Sequence, residues 1–137
     1  MSDPLAGLRP EPIPTNITQE FWDAARNEEF LLQYCVETGQ AQFFPRPVSV
    51  FTGGRALEWR KSDGRGEVYS FTITRRGPPL FRDAGSYIIA TVELEEGVRV
   101  LSNVIDCEFD DIKIGMKVEM AWAEAGDYKF PVFRPVG

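Results

Sequence analysis

The sequence contains no histidine, and that absence excludes more chemistry than any other feature of its 137 residues. Without imidazole there is no Ser-His or Cys-His nucleophile pair, no histidine metal ligand and none of the commonest general acid/base. Any enzyme built on this chain has to run on carboxylates, Lys, Tyr or a cofactor. Cysteine is scarce as well. Cys35 and Cys107 are the only two, too few and too far apart for the disulfide framework of a small secreted domain, so a reducing, intracellular compartment is expected. No apolar run is long enough to cross a bilayer, and Met1 to Pro14 lacks the basic-then-apolar order of a secretion signal. A cytoplasmic protein with no membrane attachment is the expectation. Basic residues are in deficit, 15 Lys and Arg against 21 Asp and Glu for a net charge of −6. A broad electrostatic attraction to nucleic acid is therefore not expected, although a local basic patch stays open.

What is present is ordinary for a folded domain: 43% hydrophobic, 12% aromatic and 26% charged residues. A chain of this length buries roughly two-thirds of its unfolded surface and needs no staple merely to hold a core. Residues 1–14 carry four prolines and are expected to form an extended arm with no packing of their own. Beyond them Ile17, Phe21, Trp22 and Ala25 fall on one stripe of a short helix that Asn16 or Thr18 can cap. Two readings of Phe21 and Trp22 stand side by side: burial against the rest of the chain, or docking on a partner, since large aromatics dominate interface energies.

The remainder reads as strands. Phe30 to Tyr34 and Gln40 to Phe44 form a pair around the turn Glu37-Thr38-Gly39. After breaks at Pro45, Pro47 and Gly53-Gly54, strand-like runs recur at Leu57–Lys61, Glu67–Arg75, Tyr87–Leu94, Val98–Cys107 and Lys117–Glu124. Period-two alternation across Val68 to Thr74 buries one face. Five short strands in about 80 residues suit a small closed barrel better than a sandwich of about 100.

Three stretches together point further. The first is Pro14 to Cys35, with Phe21-Trp22 and then Leu31-Leu32-Gln33-Tyr34-Cys35. The second is Phe44-Pro45-Arg46-Pro47, then Trp59 and Gly64-Arg65-Gly66-Glu67-Val68-Tyr69. The third is Val92 to Arg99, Ile114-Gly115-Met116-Lys117-Val118 and the closing Phe130 to Pro135. In this order and spacing the chain resembles the OB-fold and zinc-ribbon family of acyl-CoA-associated proteins, long catalogued as a domain of unknown function. The resemblance runs from about Pro12 to Val136 and implies a mainly β fold. Its parts would be an N-terminal arm and short helix over 1–29, a rubredoxin-like zinc ribbon over 30–56 and a C-terminal five-stranded OB-fold barrel over 57–137.

The resemblance also implies a role. Such a chain would be a non-catalytic accessory subunit in a hetero-oligomer with a thiolase-like enzyme, a thiolase or aldolase that forms or cleaves a carbon-carbon bond beside a CoA thioester. It would help assemble the complex and bind the acyl-CoA, with no cofactor of its own and a CoA thioester as candidate ligand. The alternatives are an acyl-CoA hydratase as partner, or an OB-fold oligonucleotide-binding module, which the acidic charge disfavours.

At the ribbon the chain departs from the family pattern. Two Cys-x-x-Cys knuckles supply four thiolates there; the corresponding positions here read Cys35, Thr38, Ser49 and Thr52. One thiolate and three neutral hydroxyls are poor zinc ligands, and no bound zinc is expected. In its place, packing of Phe43, Phe44, Val48, Val50 and Phe51 is expected to hold the ribbon, with the three hydroxyls bonding turn backbone. Cys35 reads as a remnant knuckle cysteine and not as a reactive thiol: no histidine can activate it, and acidic Glu37 nearby would raise its pKa. Cys107 reads as a small buried residue.

For ligand contact the candidates are Arg75, Arg76 and Arg82, which bracket the loop Gly77 to Phe81 between barrel strands. In OB-folds such a loop borders the ligand face, and arginines beside an exposed Phe81 suit the phosphates and arm of CoA, or the enzyme that holds it. A solvated loop is the competing reading. Glu93 to Glu96, Asp106 and Asp110-Asp111 read as solvated turns, and Gly64 and Gly66 as turn and bulge residues, not a phosphate loop.

Overall fold

In the computed structural model, which describes residues 3–137, the chain forms one short helix and eight strands in two β units. The helix, α1 (Gln19–Arg26), carries the expected stripe, with Phe21, Trp22 and Ala25 buried. Thr18 stands at its N-cap, but its hydroxyl turns backward to accept from the Thr15 N–H at 2.9 Å. At the other end Glu28 adopts φ 59°, and the N–H groups of Glu28 and Glu29 return to the carbonyls of Ala25 and Ala24. That pattern closes a helix tightly and is unusual without glycine.

Strands β1 (Phe30–Cys35), β2 (Ala41–Gln42) and β3 (Leu57–Ser62) form a three-stranded antiparallel sheet in the order β2-β1-β3. Here the structure corrects the expected boundary. The run from Leu57 does not open the barrel; it pairs with β1 from Cys35↔Leu57 to Phe30↔Ser62. Since β2 is only two residues long, β3 supplies most of the partners that β1 has, and Gly64, at φ 70°, then turns the chain into the barrel.

The barrel comprises β4 (Arg65–Thr74), β5 (Tyr87–Leu94), β6 (Arg99–Val104), β7 (Lys117–Ala125) and β8 (Tyr128–Pro135), closed in the order β4-β5-β6-β8-β7. The five strands expected are present, with β8 taking the place assigned to Leu57–Lys61. Ile88, Ala90, Val92 and Leu94 point inward at the period of two. Closure is thinnest between β6 and β8, a parallel contact at Val104↔Phe133, where the Ser102 hydroxyl donates to the Pro131 carbonyl at 2.6 Å. Gly66 lies so close to β5 that a Cβ there would run into the Glu93 carbonyl.

One apolar core spans both units, from Phe30 and Leu32 through α1 to Val68, Val92 and Phe133. Phe21 is 1% exposed and meets the rings of Phe30, Phe43 and Phe44 at 5.6, 5.8 and 5.5 Å on the ribbon side, while Trp22, 8% exposed, meets Tyr128 and Phe130 of β8 at 6.3 and 6.2 Å. Burial within the chain is therefore the reading the structure supports, and the pair offers little ring surface to a partner. The arm is likewise not unpacked. Leu5 is buried, and Arg9 pairs with Asp3, donates to Asn103 Oδ1 of β6 at 3.0 Å and lies over the Phe130 ring of β8.

Phe21→Ala should therefore lower unfolding free energy by about 3–5 kcal/mol, read in urea titrations. Gly66→Ala should lower the melting temperature because the β4–β5 pairing has to part; an unchanged melting curve would contradict the close approach.

Candidate functional site

After β4 the chain leaves the barrel through Arg75 and Arg76, makes a short 3-10 helix at Pro79–Ala84 and returns in β5. Proline at the start of that turn fixes φ and wastes no N–H. Arg75, Arg76 and Arg82 together line an open cavity of about 520 Å³ with Gly77, Pro79 and Gly85. None of the three makes an ion pair among the described residues. Guanidinium groups are forked donors whose geometry matches phosphate or carboxylate oxygens, so the chemistry of this cavity is cationic.

Phe81 does not share that cavity. Expected exposed, it is half-buried, edge-on to Tyr87 at 5.8 Å. With Tyr87, Leu5, Trp22, Ile89 and Phe130 it lines an apolar groove of about 350 Å³, and Arg9 and Asn103 supply polar atoms there. Tyr87 connects the two spaces: a Cβ at Gly77 would lie 2.8 Å from its hydroxyl. The geometry thus places a cationic cavity beside an apolar groove. Reading the sequence located the arginines but missed the groove, because its walls come from the arm, α1, the 3-10 turn, β5, β6 and β8; the detectable signal was a large aromatic, Tyr87, at a strand start.

No acid/base constellation accompanies these spaces. Glu93 pairs with Arg99 at 3.1 Å and Glu67 with Lys117 at 2.7 Å, both on the surface, and the Glu96-Gly97 turn closes the expected hairpin, with Gly97 N–H on the Leu94 carbonyl at 2.9 Å. Among the described residues no three His, Cys, Asp or Glu side chains converge as metal ligands would.

The ribbon retains two matched knuckles. The Gly39 N–H reaches the Cys35 carbonyl at 2.7 Å and the Gly53 N–H reaches the Ser49 carbonyl at 2.9 Å, both glycines at φ near +75°. Cys35 and Ser49 in turn each donate their N–H to a carbonyl five residues on, Gln40 and Gly54, both at 2.8 Å. The hydroxyls bond the turns as expected: Ser49 Oγ accepts from Phe51 and Thr52 N–H, Thr52 Oγ1 from Gly54 N–H and Thr38 Oγ1 from Gln40 N–H. Those oxygens are engaged with backbone, and with one thiol among them the four positions do not fit tetrahedral zinc.

The expected apolar filling is corrected. Phe44, Val50 and Phe51 are 39, 54 and 41% exposed, and Phe43 packs toward α1, at 5.8 Å from the Phe21 ring. What lies under the second knuckle is polar. Gln42 Nε2 donates to Gln33 Oε1 at 2.9 Å and to the Val48 carbonyl at 3.1 Å, while Gln42 Oε1 accepts from the Val50 N–H at 2.9 Å. Gln33 Nε2 donates to the Arg46 carbonyl at 2.9 Å and its Oε1 accepts from the Arg46 N–H at 2.8 Å. Both glutamines are buried and no buried side-chain polar atom lacks a partner among the described residues, which matters because each such orphan costs about 1–3 kcal/mol.

The Cys35 thiol is fully buried. Its pKa is not raised as Glu37 led one to expect; the Ser49 hydroxyl, then that of Thr38, stabilises the thiolate and draws it down to about 7, against the upward push of burial. Cys107 goes the other way, raised by burial and by Asp111 and Glu108.

Comparison with known proteins covers both units. Residues 22–48 match the family described as the rubredoxin-like zinc ribbon domain of ChsH2, and residues 59–123 match its C-terminal OB-fold domain. A DUF35 domain-containing scaffold protein of Pyrococcus furiosus is 37% identical over 100 residues, covering 73% of this chain and 74% of that protein. A probable enoyl-CoA hydratase alpha subunit of Thermomonospora curvata is 34% identical over 131 residues; the match takes in 93% of this chain and only 40% of the length of that relative. A solved chain described as Ltp2-ChsH2(DUF35) aldolase superposes with a TM-score of 0.81 at 31% identity, covering 91% of this chain and 98% of that one.

Because both thiols are buried, iodoacetamide at neutral pH should leave Cys35 and Cys107 largely unmodified in the native protein and modify both in denaturant, by peptide mass spectrometry. Rapid native labelling of Cys35 would show an accessible thiolate and contradict the closed knuckle.

Proposed function

The chain belongs to the DUF35 family of ribbon-and-barrel proteins that includes ChsH2, and from that premise we propose that it is a non-catalytic accessory subunit of a thiolase-like enzyme, a thiolase or aldolase acting beside a CoA thioester. The observation that carries this reading is the match along nearly the whole chain to a DUF35 chain whose description joins it to an aldolase. The scaffold description of the archaeal relative supports the same role. So does the chemistry on the chain, which offers binding groups and no nucleophile poised beside a base. A second reading, partnership with an acyl-CoA hydratase, is favoured by the name of the Thermomonospora relative, of which this chain spans under half.

In this proposal the cavity of Arg75, Arg76 and Arg82 meets the phosphates of the CoA moiety, and the groove walled by Phe81 and Tyr87 takes an apolar part of the ligand or a side chain of the enzyme. The geometry supports such a division: an amphipathic polyanion needs uncompensated cations next to an apolar wall. The partner supplies the reacting groups.

Co-expressed with a thiolase or aldolase from the same source, the chain should co-elute with it in fixed ratio and raise its turnover of acyl-CoA, while showing none alone. Separate elution from thiolase, aldolase and hydratase candidates would overturn the accessory role. Within the complex, Arg75→Glu with Arg76→Glu should weaken acyl-CoA binding about tenfold or more by calorimetry, since charge-assisted hydrogen bonds each contribute about 1.5–3 kcal/mol; unchanged affinity would remove the arginines from the ligand.

A further inference from the structure

We propose that the ribbon of this chain is held without metal by the buried amides of Gln33 and Gln42, which cross-link its knuckle-bearing segments where a zinc ribbon uses the ion. The sequence removes three of the four thiols, yet the two knuckle turns keep matching hydrogen bonds and matching left-handed glycines at 39 and 53. Something other than a metal has to hold them in that arrangement.

Strand β1 shows how. Leu32 faces α1 and the barrel, so Gln33 and Cys35 face the opposite side, beneath the knuckles. From there Gln33 fixes both the N–H and the carbonyl of Arg46, which starts the approach to the second knuckle. Gln42, beside it on β2 through the register pair Gln33↔Gln42, fixes the Val48 carbonyl and the Val50 N–H inside that knuckle. The amide-amide bond at 2.9 Å joins the two. Five hydrogen bonds from two side chains thereby connect β1, β2 and residues 46–50, and every one runs through groups that titrate nowhere near neutral pH. Zinc asks for four donors of thiolate or imidazole type; three of the four here are neutral hydroxyls that accept turn N–H groups, and those of Ser49 and Thr38 also stabilise the one thiolate, Cys35. A ribbon built this way is indifferent to chelators.

The test uses the full chain. Protein purified without chelator should carry only traces of zinc, and its melting temperature should not move with EDTA or added zinc; one zinc per chain, or a melting temperature lowered by EDTA, would overturn the proposal. Amide hydrogen exchange then reads the cross-link itself. Gln42→Met should speed exchange at Val50, and Gln33→Met at Arg46, by about tenfold, with barrel amides unchanged. Equal exchange in variant and parent would remove the glutamines from the role. If a glutamine variant fails to fold, the parent protein decides: the Val50 and Arg46 amides, each bonded to a glutamine carbonyl, should exchange at least about tenfold more slowly than in an unstructured peptide, and free exchange there would remove the glutamines from the role. Finally, Thr38→Cys with Ser49→Cys and Thr52→Cys should take up one zinc per chain, because the turns are retained; failure to bind zinc would contradict the matched knuckle geometry.

Discussion

The edge-to-face contact of Phe21 with Trp22, rings 5.0 Å apart at 83°, is the interaction on which the arrangement of the two β units rests. Adjacent residues on an eight-residue helix diverge by about 100°, so one ring is sent into the ribbon sheet and the other onto β8. A helix this short has little stability of its own. It is helical because both rings are buried, and the units are joined because the helix is there. The sheet and barrel thus share a core, instead of meeting through a polar interface that would let them swing.

Parts of this were legible from residue order alone. The inward alternation of β5 and the Glu96-Gly97 turn followed from side-chain period and turn chemistry, which are local. The assignment of β3 failed because a strand's partner is a long-range fact: Leu57 to Ser62 looks the same whether it pairs with β1 or with a barrel strand. The arm failed for a related reason. Its prolines forbid regular structure but not contact, and the partner of Arg9, Asn103, lies far along the chain. Gln33 and Gln42 carried a signal that was passed over, a polar residue placed inside an apolar run on each of two strands. Polar residues in such positions are either errors or members of a satisfied network, and here they are the second.

The candidate ligand region was half legible. Charge on the loop after β4 is visible in the sequence, and the three arginines do gather around one cavity. The apolar groove next to it is assembled from six segments, none of them distinctive, so only their convergence reveals it. The surfaces offered for recognition in this chain are accordingly ones that fold-wide packing creates, and not ones a local motif announces.

The thin parallel contact between β6 and β8 makes the barrel's circumference depend on what lies across it. Arg9 touches both sides, Asn103 on β6 and Phe130 on β8, so the arm is fastened to the barrel only once both strands are in place. Until then Arg9 has only its local ion pair with Asp3, and the β6–β8 seam has only its own few bonds. Closure of this barrel is consequently a high-contact-order event, in which a proline-rich segment with no regular structure of its own bolts together two strands more than ninety residues further on.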